Sequence, residues 1–300
     1  GGDPGGPRRP PARPLRPRRA PGTVSVVDPE PGLRDADLRE VAHRVREHIV
    51  DMCAGPEGGH LGGSMSLAEI LSVLYFRVLR ADPRHPGDPD RDILLLSKGH
   101  GAICLYAVLA ERGYFPVSEL ASYARPGARL MGHPVRAVPG VEMPTGSLGH
   151  GLALGNGFAL AGRRCFVVLG DGELQEGSVW EAAAVAAGQR LENLTAVVDR
   201  NTLQLTGPTE ERVPLEPLAD RWRSFGWEVR ECDGHDPAAL LAALTAGRTG
   251  RPVVVIAHTV KGRGLPALEG TVRAHYASLG PKQHQRARSV LRARHRRGTA

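Results

Sequence analysis

Five short, largely apolar runs punctuate the chain, and they restrict its fold more than any other feature. They occupy residues 93–96, 165–169, 194–198, 227–231 and 253–257. Runs of this length suit strands and are too short for helices, and stretches of helical character separate them. Strands that are apolar along most of their length must be covered on both faces, which a parallel sheet with crossover helices achieves. The expected fold is therefore α/β: a doubly wound parallel sheet with helices on both faces. Upstream, Asp35 is placed to cap a helix reaching about residue 54, because Leu38, Val41, Val45, Ile49 and Met52 recur on one face. A Gly-rich segment, 55–64, separates it from a second apolar helix expected over about 67–79.

Charge points to a nucleic-acid partner until it is divided along the chain. The formal net charge is +7. Residues 1–22 hold six Arg against Asp3, and residues 281–300 hold six Arg and Lys282 with no acid, which leaves −5 for residues 23–280. The basic character thus belongs to two ends and not to a binding face, and no nucleic-acid partner is expected. Residues 1–22, with seven Pro and five Gly, cannot build a core and are expected to form a disordered extension. Residues 23–280 are expected to be the folded domain and 281–300 a basic tail, either frayed or a short helix. No run approaches the length of a transmembrane helix and the first thirty residues carry no apolar signal core, so neither a membrane span nor a secretory signal is expected. Cys53, Cys104, Cys165 and Cys232 lie far apart with no CxxC pair, which points to a reducing cytoplasm and away from a disulfide framework.

Open parallel sheets bind ligands beyond the carboxyl ends of their strands. The segments that follow the apolar runs are Ser97-Lys98-Gly99-His100, Gly170-Asp171-Gly172, Asp199-Arg200-Asn201-Thr202-Leu203 and His258-Thr259-Val260-Lys261-Gly262. Asp171 and Asn201 end successive strands, so a carboxylate and an amide come side by side. These hard oxygen donors suit Mg2+ or Ca2+ and are too few for a closed cage, which implies a shell shared with water and the phosphates of a diphosphate ligand. On this pair alone, a turn aspartate and a capping asparagine stand on equal footing with a metal site. His43, His48 and His85 sit in no motif and read as surface residues, and Asp233-Gly234-His235-Asp236 reads as a turn before a helix.

The wider pattern resembles the transketolase family. Gly170-Asp171-Gly172 followed by Asn201 matches the motif of thiamine diphosphate enzymes. Gly59-His60-Leu61-Gly62-Gly63-Ser64, Leu96-Ser97-Lys98-Gly99-His100, Gly132-His133-Pro134, Thr145-Gly146-Ser147-Leu148-Gly149-His150-Gly151 and the run from Gly170 through Glu176 to Gly177 resemble further transketolase segments, in the family's order. His150 stands where the family commonly has glutamine. The likeness spans roughly residues 35–275 and concerns the N-terminal, diphosphate-binding domain, as in the N-terminal subunit of a split transketolase.

The resemblance implies thiamine diphosphate and Mg2+ as cofactors, with Ca2+ as a substitute. It implies that Asp171, Asn201 and the Leu203 carbonyl ligate the metal, and that Gly170, Gly172, Gly146, Leu148 and Lys261 contact the cofactor. His60, His100, His133 and His275 would face the diphosphate, the substrate and the reacting centre, and Glu176 and Glu181 would meet a partner at the interface. The implied reaction moves a two-carbon ketol unit from a ketose or ketose phosphate to an aldose or aldose phosphate. The implied partner is a C-terminal subunit carrying the pyrimidine-binding domain and the activating glutamate, in an α2β2 assembly. The α subunit of a 2-oxo acid dehydrogenase and a non-catalytic scaffold of the same fold are the alternatives.

Overall fold

The computed structural model describes residues 35–298. Its strands are β1 (Ile93–Leu96), β2 (Cys165–Gly170), β3 (Leu194–Arg200), β4 (Leu203–Gln204), β5 (Gly207–Pro208), β6 (Glu228–Asp233) and β7 (Val253–His258). Its helices are α1 (Asp35–Met52), α2 (Leu61–Met65), α3 (Ala68–Val73), α4 (Ala102–Arg112), α5 (Gly151–Leu160), α6 (Gly177–Gly188), α7 (Thr209–Arg212), α8 (Leu218–Ser224), α9 (Pro237–Thr245) and α10 (Pro281–Arg296). Five strands form one sheet in the order β1-β2-β3-β7-β6, and every neighbouring pair is parallel. β4 and β5 form a separate two-residue antiparallel hairpin directly after β3.

The apolar runs become strands because alternate residues feed two cores. Leu94, Leu96, Phe166, Val168, Val197, Val253 and Val255 pack with Ile49 of α1, Leu71 of α3, Leu105 of α4 and Leu240 of α9. Ile93, Leu95, Val167, Leu169, Ala196, Val198, Val254 and Ile256 pack on the other face with Leu152 of α5, Ala183 of α6 and Trp222 of α8. The edge strand β6 is only half-buried, which explains the charged residues in its run. It begins one residue later than the sequence pattern indicates, because Trp227 turns into the second core and donates its Nε1–H to the Ala183 carbonyl at 2.9 Å.

Two expectations change. The Gly-rich segment 55–64 holds a helix of its own, α2, which starts directly after His60, whereas the apolar helix expected over 67–79 is present as α3 running on into a π-helical turn, Leu74–Val78. Gly62 permits this early start, because a Cβ there would lie 2.6 Å from the Ala274 carbonyl oxygen. The basic segment expected to be a frayed tail or a short helix is helical as α10 for most of its length, and it is docked on α1 and not a free tail. Its few apolar residues hide the contact from a periodicity reading: Leu291 and Ala287 are buried, and arginine and histidine side chains make most of the other contacts. Arg288 pairs with Asp51, Arg292 with Glu47 at 2.8 Å, His284 with Asp51 at 2.7 Å and His295 with Glu40 at 2.7 Å. The domain therefore extends through residue 296.

Two of the three histidines read as surface also move inward. His43 is buried and stacks on His295 at 4.1 Å, and His48 is half-buried against Glu111 at 2.8 Å; His85 is exposed. The extension expected over 1–22 and the Asp35 side chain lie outside the described residues. Among the described residues, no helix is long and apolar enough to cross a membrane.

α1 and α3 are joined through a buried ion pair. Arg46 donates to both Glu69 oxygens, at 2.5 and 2.6 Å, and to the Met65 carbonyl at 3.2 Å. Burial pushes the Glu69 carboxyl up, but Arg46 and His235 outweigh it and hold it at about 2. Arg46→Met strands a buried carboxylate and is expected to cost about 3–5 kcal/mol in urea unfolding. Arg46→Met with Glu69→Leu should recover most of that loss, and a single variant of wild-type stability would contradict the pair's importance.

Candidate active site

Every loop at the carboxyl edge of the sheet is fastened by a buried acid. Lys98, just past β1, bonds Asp199 near the end of β3, with the two side chains 1% and 0% exposed. Asp199 also accepts hydrogen bonds from Ser66 at 2.7 Å, from Asn201 at 3.1 Å and from Thr259. Burial pushes its carboxyl up, but Lys98 wins and holds it below the usual carboxylate range. Glu173 gathers three further loops: it accepts from Ser97, from the Gly149 N–H at 2.9 Å and from the Gly170 N–H at 3.1 Å. Burial raises the Glu173 carboxyl against these bonds. Sequence reasoning selected neither Asp199 nor Glu173; the signal available was an acid beside an apolar strand end or a glycine turn.

The expected oxygen donors lie at these strand ends. Asp171 is buried, and its Oδ1 accepts the Gly172 N–H at 2.8 Å while Oδ2 faces the Thr202 N–H at 2.5 Å and the Arg200 guanidinium at 3.3 Å. Burial and the nearby Asp199 charge raise its carboxyl despite Arg200. Thr202 adopts φ +66°, a left-handed turn unusual for threonine, directly before Leu203. The Leu203 carbonyl accepts from the Lys261 ammonium at 2.9 Å, and Asn201 Oδ1 accepts the Leu203 N–H at 3.2 Å. A carboxylate, an amide oxygen and a carbonyl that already attracts a cation make a hard, open donor set suited to Mg2+. Among the described residues no group of three or more His, Cys, Asp or Glu forms a cage, so such an ion would share its shell with its ligand.

Beside these donors the histidines converge. His60 stands 5.7 Å from His100, 5.6 Å from His133, 5.5 Å from His275 and 5.0 Å from Tyr276, measured between ring centroids. His275 joins Lys261 Nζ through Nδ1 at 3.0 Å. Its segment is brought in by a bridge between Gly59 and Ala277, a long-range pairing that also delivers Tyr276, which sequence reasoning missed. Gly146 has φ +148°, and a Cβ there would lie 3.1 Å from the His133 ring; a Cβ on Gly99 would lie 2.7 Å from the Gly146 nitrogen. These glycines let the loops close on one another.

Burial lowers His60 and His275 to about 4, aided by the Lys261 charge and by neighbouring imidazoles, and it drives His100 well below its ordinary value. Burial, with Lys98, lowers Lys261 to about 8. His60 Nδ1 is buried with no protein partner, an orphaned polar atom that a bound ligand would satisfy.

The structure thus brings together Asp171, Gly170, Gly172, Asn201, Leu203, Lys261, Gly146 and the four histidines. Leu148 is half-buried in the Gly146–Gly149 loop, while Glu176 and Glu181 are exposed at the start of α6 and within it. His235 sits in a turn as expected, and Asp236 caps α9 there through the Ala238 N–H at 3.1 Å. The His235 side chain is nevertheless only 7% exposed, bonding Glu69 at 3.0 Å and accepting the Val260 N–H at 2.8 Å.

A family profile described as "Transketolase, thiamine diphosphate binding domain" matches residues 38–296. The chain belongs to the transketolase family. It is 42% identical over 252 residues to the 6-deoxy-6-sulfo-D-fructose transketolase subunit of a Clostridium species, covering 81% of this chain and 92% of that one. It is 45% identical over 249 residues to an apulose-4-phosphate transketolase subunit from Actinobacillus succinogenes, covering 80% and 90%. Transketolase from Campylobacter jejuni superposes with a TM-score of 0.79 at 30% identity, covering 85% of this chain but 42% of that enzyme. The likeness thus spans about two fifths of the solved transketolase and nearly the full length of separate subunits. This chain is the N-terminal, thiamine diphosphate-binding subunit of a split transketolase, and hence part of a transferase.

The lowered histidines make the fold sensitive to acid. His60 and His275 drop from 6.5 to about 4 on folding, so between those values the unfolded chain binds more protons and stability declines as the pH is lowered. Replacing both with Asn is expected to flatten the fall in the thermal unfolding midpoint between pH 6.5 and 4. An unchanged pH profile in the double variant would contradict the shifts.

Proposed function

We propose that this chain supplies the metal- and diphosphate-binding half of a ketol-transfer site. Asp171, the Asn201 amide oxygen and the Leu203 carbonyl would hold Mg2+, with Ca2+ as a substitute. The observation that carries this reading is the meeting of those three hard donors with a cluster of histidines at one sheet edge. Thiamine diphosphate, when bound, would supply an electron sink for cleaving and forming the carbon–carbon bond. The chain's own residues then position the reactants and exchange protons. His60, His100 and His275, neutral near pH 7, are able to accept or donate a proton at sugar hydroxyls. His133, at the exposed rim, would meet the end of the ketose being transferred, and Gly146 and Leu148 would offer backbone atoms to the cofactor ring.

The other half of the site would come from a C-terminal subunit bearing the pyrimidine-binding domain and an activating glutamate. Glu176 and Glu181 would face that interface, in an α2β2 complex in the cytoplasm. The substrates would be a ketose and an aldose bearing a phosphate or similar anion, in keeping with the sulfo-sugar and sugar phosphate in the relatives' names.

Isolated chain is expected to show no ketol transfer, and adding the partner purified from the same host should restore it. Asp171→Asn in that complex should reduce Mg2+-dependent thiamine diphosphate binding at least about 100-fold in calorimetric titration, because one carboxylate ligand is lost. Full turnover by the single chain, or wild-type cofactor affinity in the variant, would overturn the reading.

A further inference from the structure

An asparagine side chain can ligate a cation through its oxygen only, yet its oxygen and nitrogen are nearly the same size and shape. Something must choose between the two orientations of the Asn201 amide. Two hydrogen bonds do so. Nδ2 donates to Asp199 Oδ2 at 3.1 Å, and Oδ1 accepts the Leu203 N–H at 3.2 Å, which leaves a second lone pair on Oδ1 free. A flipped amide would set oxygen against a carboxylate oxygen and NH2 against an N–H donor, so both contacts would become repulsive.

We propose that Asp199 and Lys98 are positioning residues for the cofactor's metal: they lock the Asn201 amide with its oxygen toward the cation and keep Asp199 Oδ2, the oxygen beside that amide, out of the metal shell. The proposal rests on the reading that Asp171, Asn201 and Leu203 hold that metal. Lys98 fixes the Asp199 carboxylate in this place from inside the core. Its ammonium bonds Asp199 on one side and the Gly63 carbonyl at 3.1 Å on the other. Asp199 Oδ2 is also fully engaged. Lys98, Ser66 and Asn201 occupy Oδ2, and Thr259 occupies Oδ1. Three donors crowd Oδ2, the oxygen beside Asn201, so that oxygen has no lone pair left for a metal. Asp199 and Asn201, two apart on one strand end, share a face and divide the work, since the acid orients and the amide binds.

The test uses the full chain, stripped of cofactor, with Mn2+ as the probe in excess thiamine diphosphate, its free fraction read by electron paramagnetic resonance. Lys98→Met with Asp199→Leu removes both charges together, so no orphaned ion remains to unfold the chain. The double variant is expected to keep its thermal midpoint within a few degrees while its Kd for Mn2+ rises at least about tenfold, a loss that a merely structural pair would not produce. Lys98→Arg, which preserves the charge, should retain most of the affinity.

Should the double variant not fold, the wild-type chain decides by nuclear magnetic resonance. One Asn201 Nδ2 proton is expected downfield and protected from exchange, with and without metal, and a freely rotating, rapidly exchanging amide overturns the proposal. Wild-type binding with an equally tight, folded double variant contradicts positioning alone. Wild-type chain that takes up no Mn2+ with thiamine diphosphate contradicts the metal reading, and positioning falls with it.

Discussion

The site depends on a buried carboxylate that cannot be left alone. Asp199 is completely shielded from water at the edge of a parallel sheet, and an isolated anion there would be too costly to keep. Its neutralisation by Lys98 draws the end of β1 to the end of β3, and its remaining bonds recruit Ser66 from the α2–α3 corner and Thr259 from beyond β7. Glu173 repeats the device one layer away, tying Ser97, Gly149 and Gly170. Loops that would otherwise be independent thus share hydrogen-bond partners, and their order at the ligand-binding edge follows from electrostatics more than from apolar contact.

Burial then sets the chemistry of what these loops carry. The same exclusion of water that strengthens the Lys98–Asp199 bond lowers the affinity of His60, His100 and His275 for protons. Neutral imidazoles serve as both donors and acceptors, the property needed where several hydroxyl groups of a sugar must be held and deprotonated in turn. Close glycine contacts at Gly62, Gly99 and Gly146 allow this density of rings, because side chains there would collide with backbone or with His133.

Much of this was legible in the chain. The apolar runs marked the five strands of the sheet, and the residues following them supplied Asp171, Asn201, Lys261 and His100, because a parallel sheet presents its carboxyl edge whatever its loops contain. His60, His133 and His275 depended on family resemblance, since nothing local places them near a strand end. What escaped rests on long-range pairing. α10 carries only Ala287 and Leu291 inward, so its helical face is written mainly in charges that make sense once Glu47 and Asp51 of α1 lie opposite. Tyr276 enters through the Gly59–Ala277 bridge, across more than two hundred residues. Asp199 resembles any polar residue ending a strand until its four donors, drawn from separate segments, are seen around it.

The most direct test is the structure of this chain with its partner, loaded with Mg2+ and thiamine diphosphate. The expected result is a cation about 2.0–2.1 Å from an Asp171 oxygen, Asn201 Oδ1 and the Leu203 carbonyl, with the histidine cluster facing the cofactor across the boundary between the two chains. A cation held by Asp199, or cofactor density remote from the carboxyl edge of β2 and β3, would contradict it.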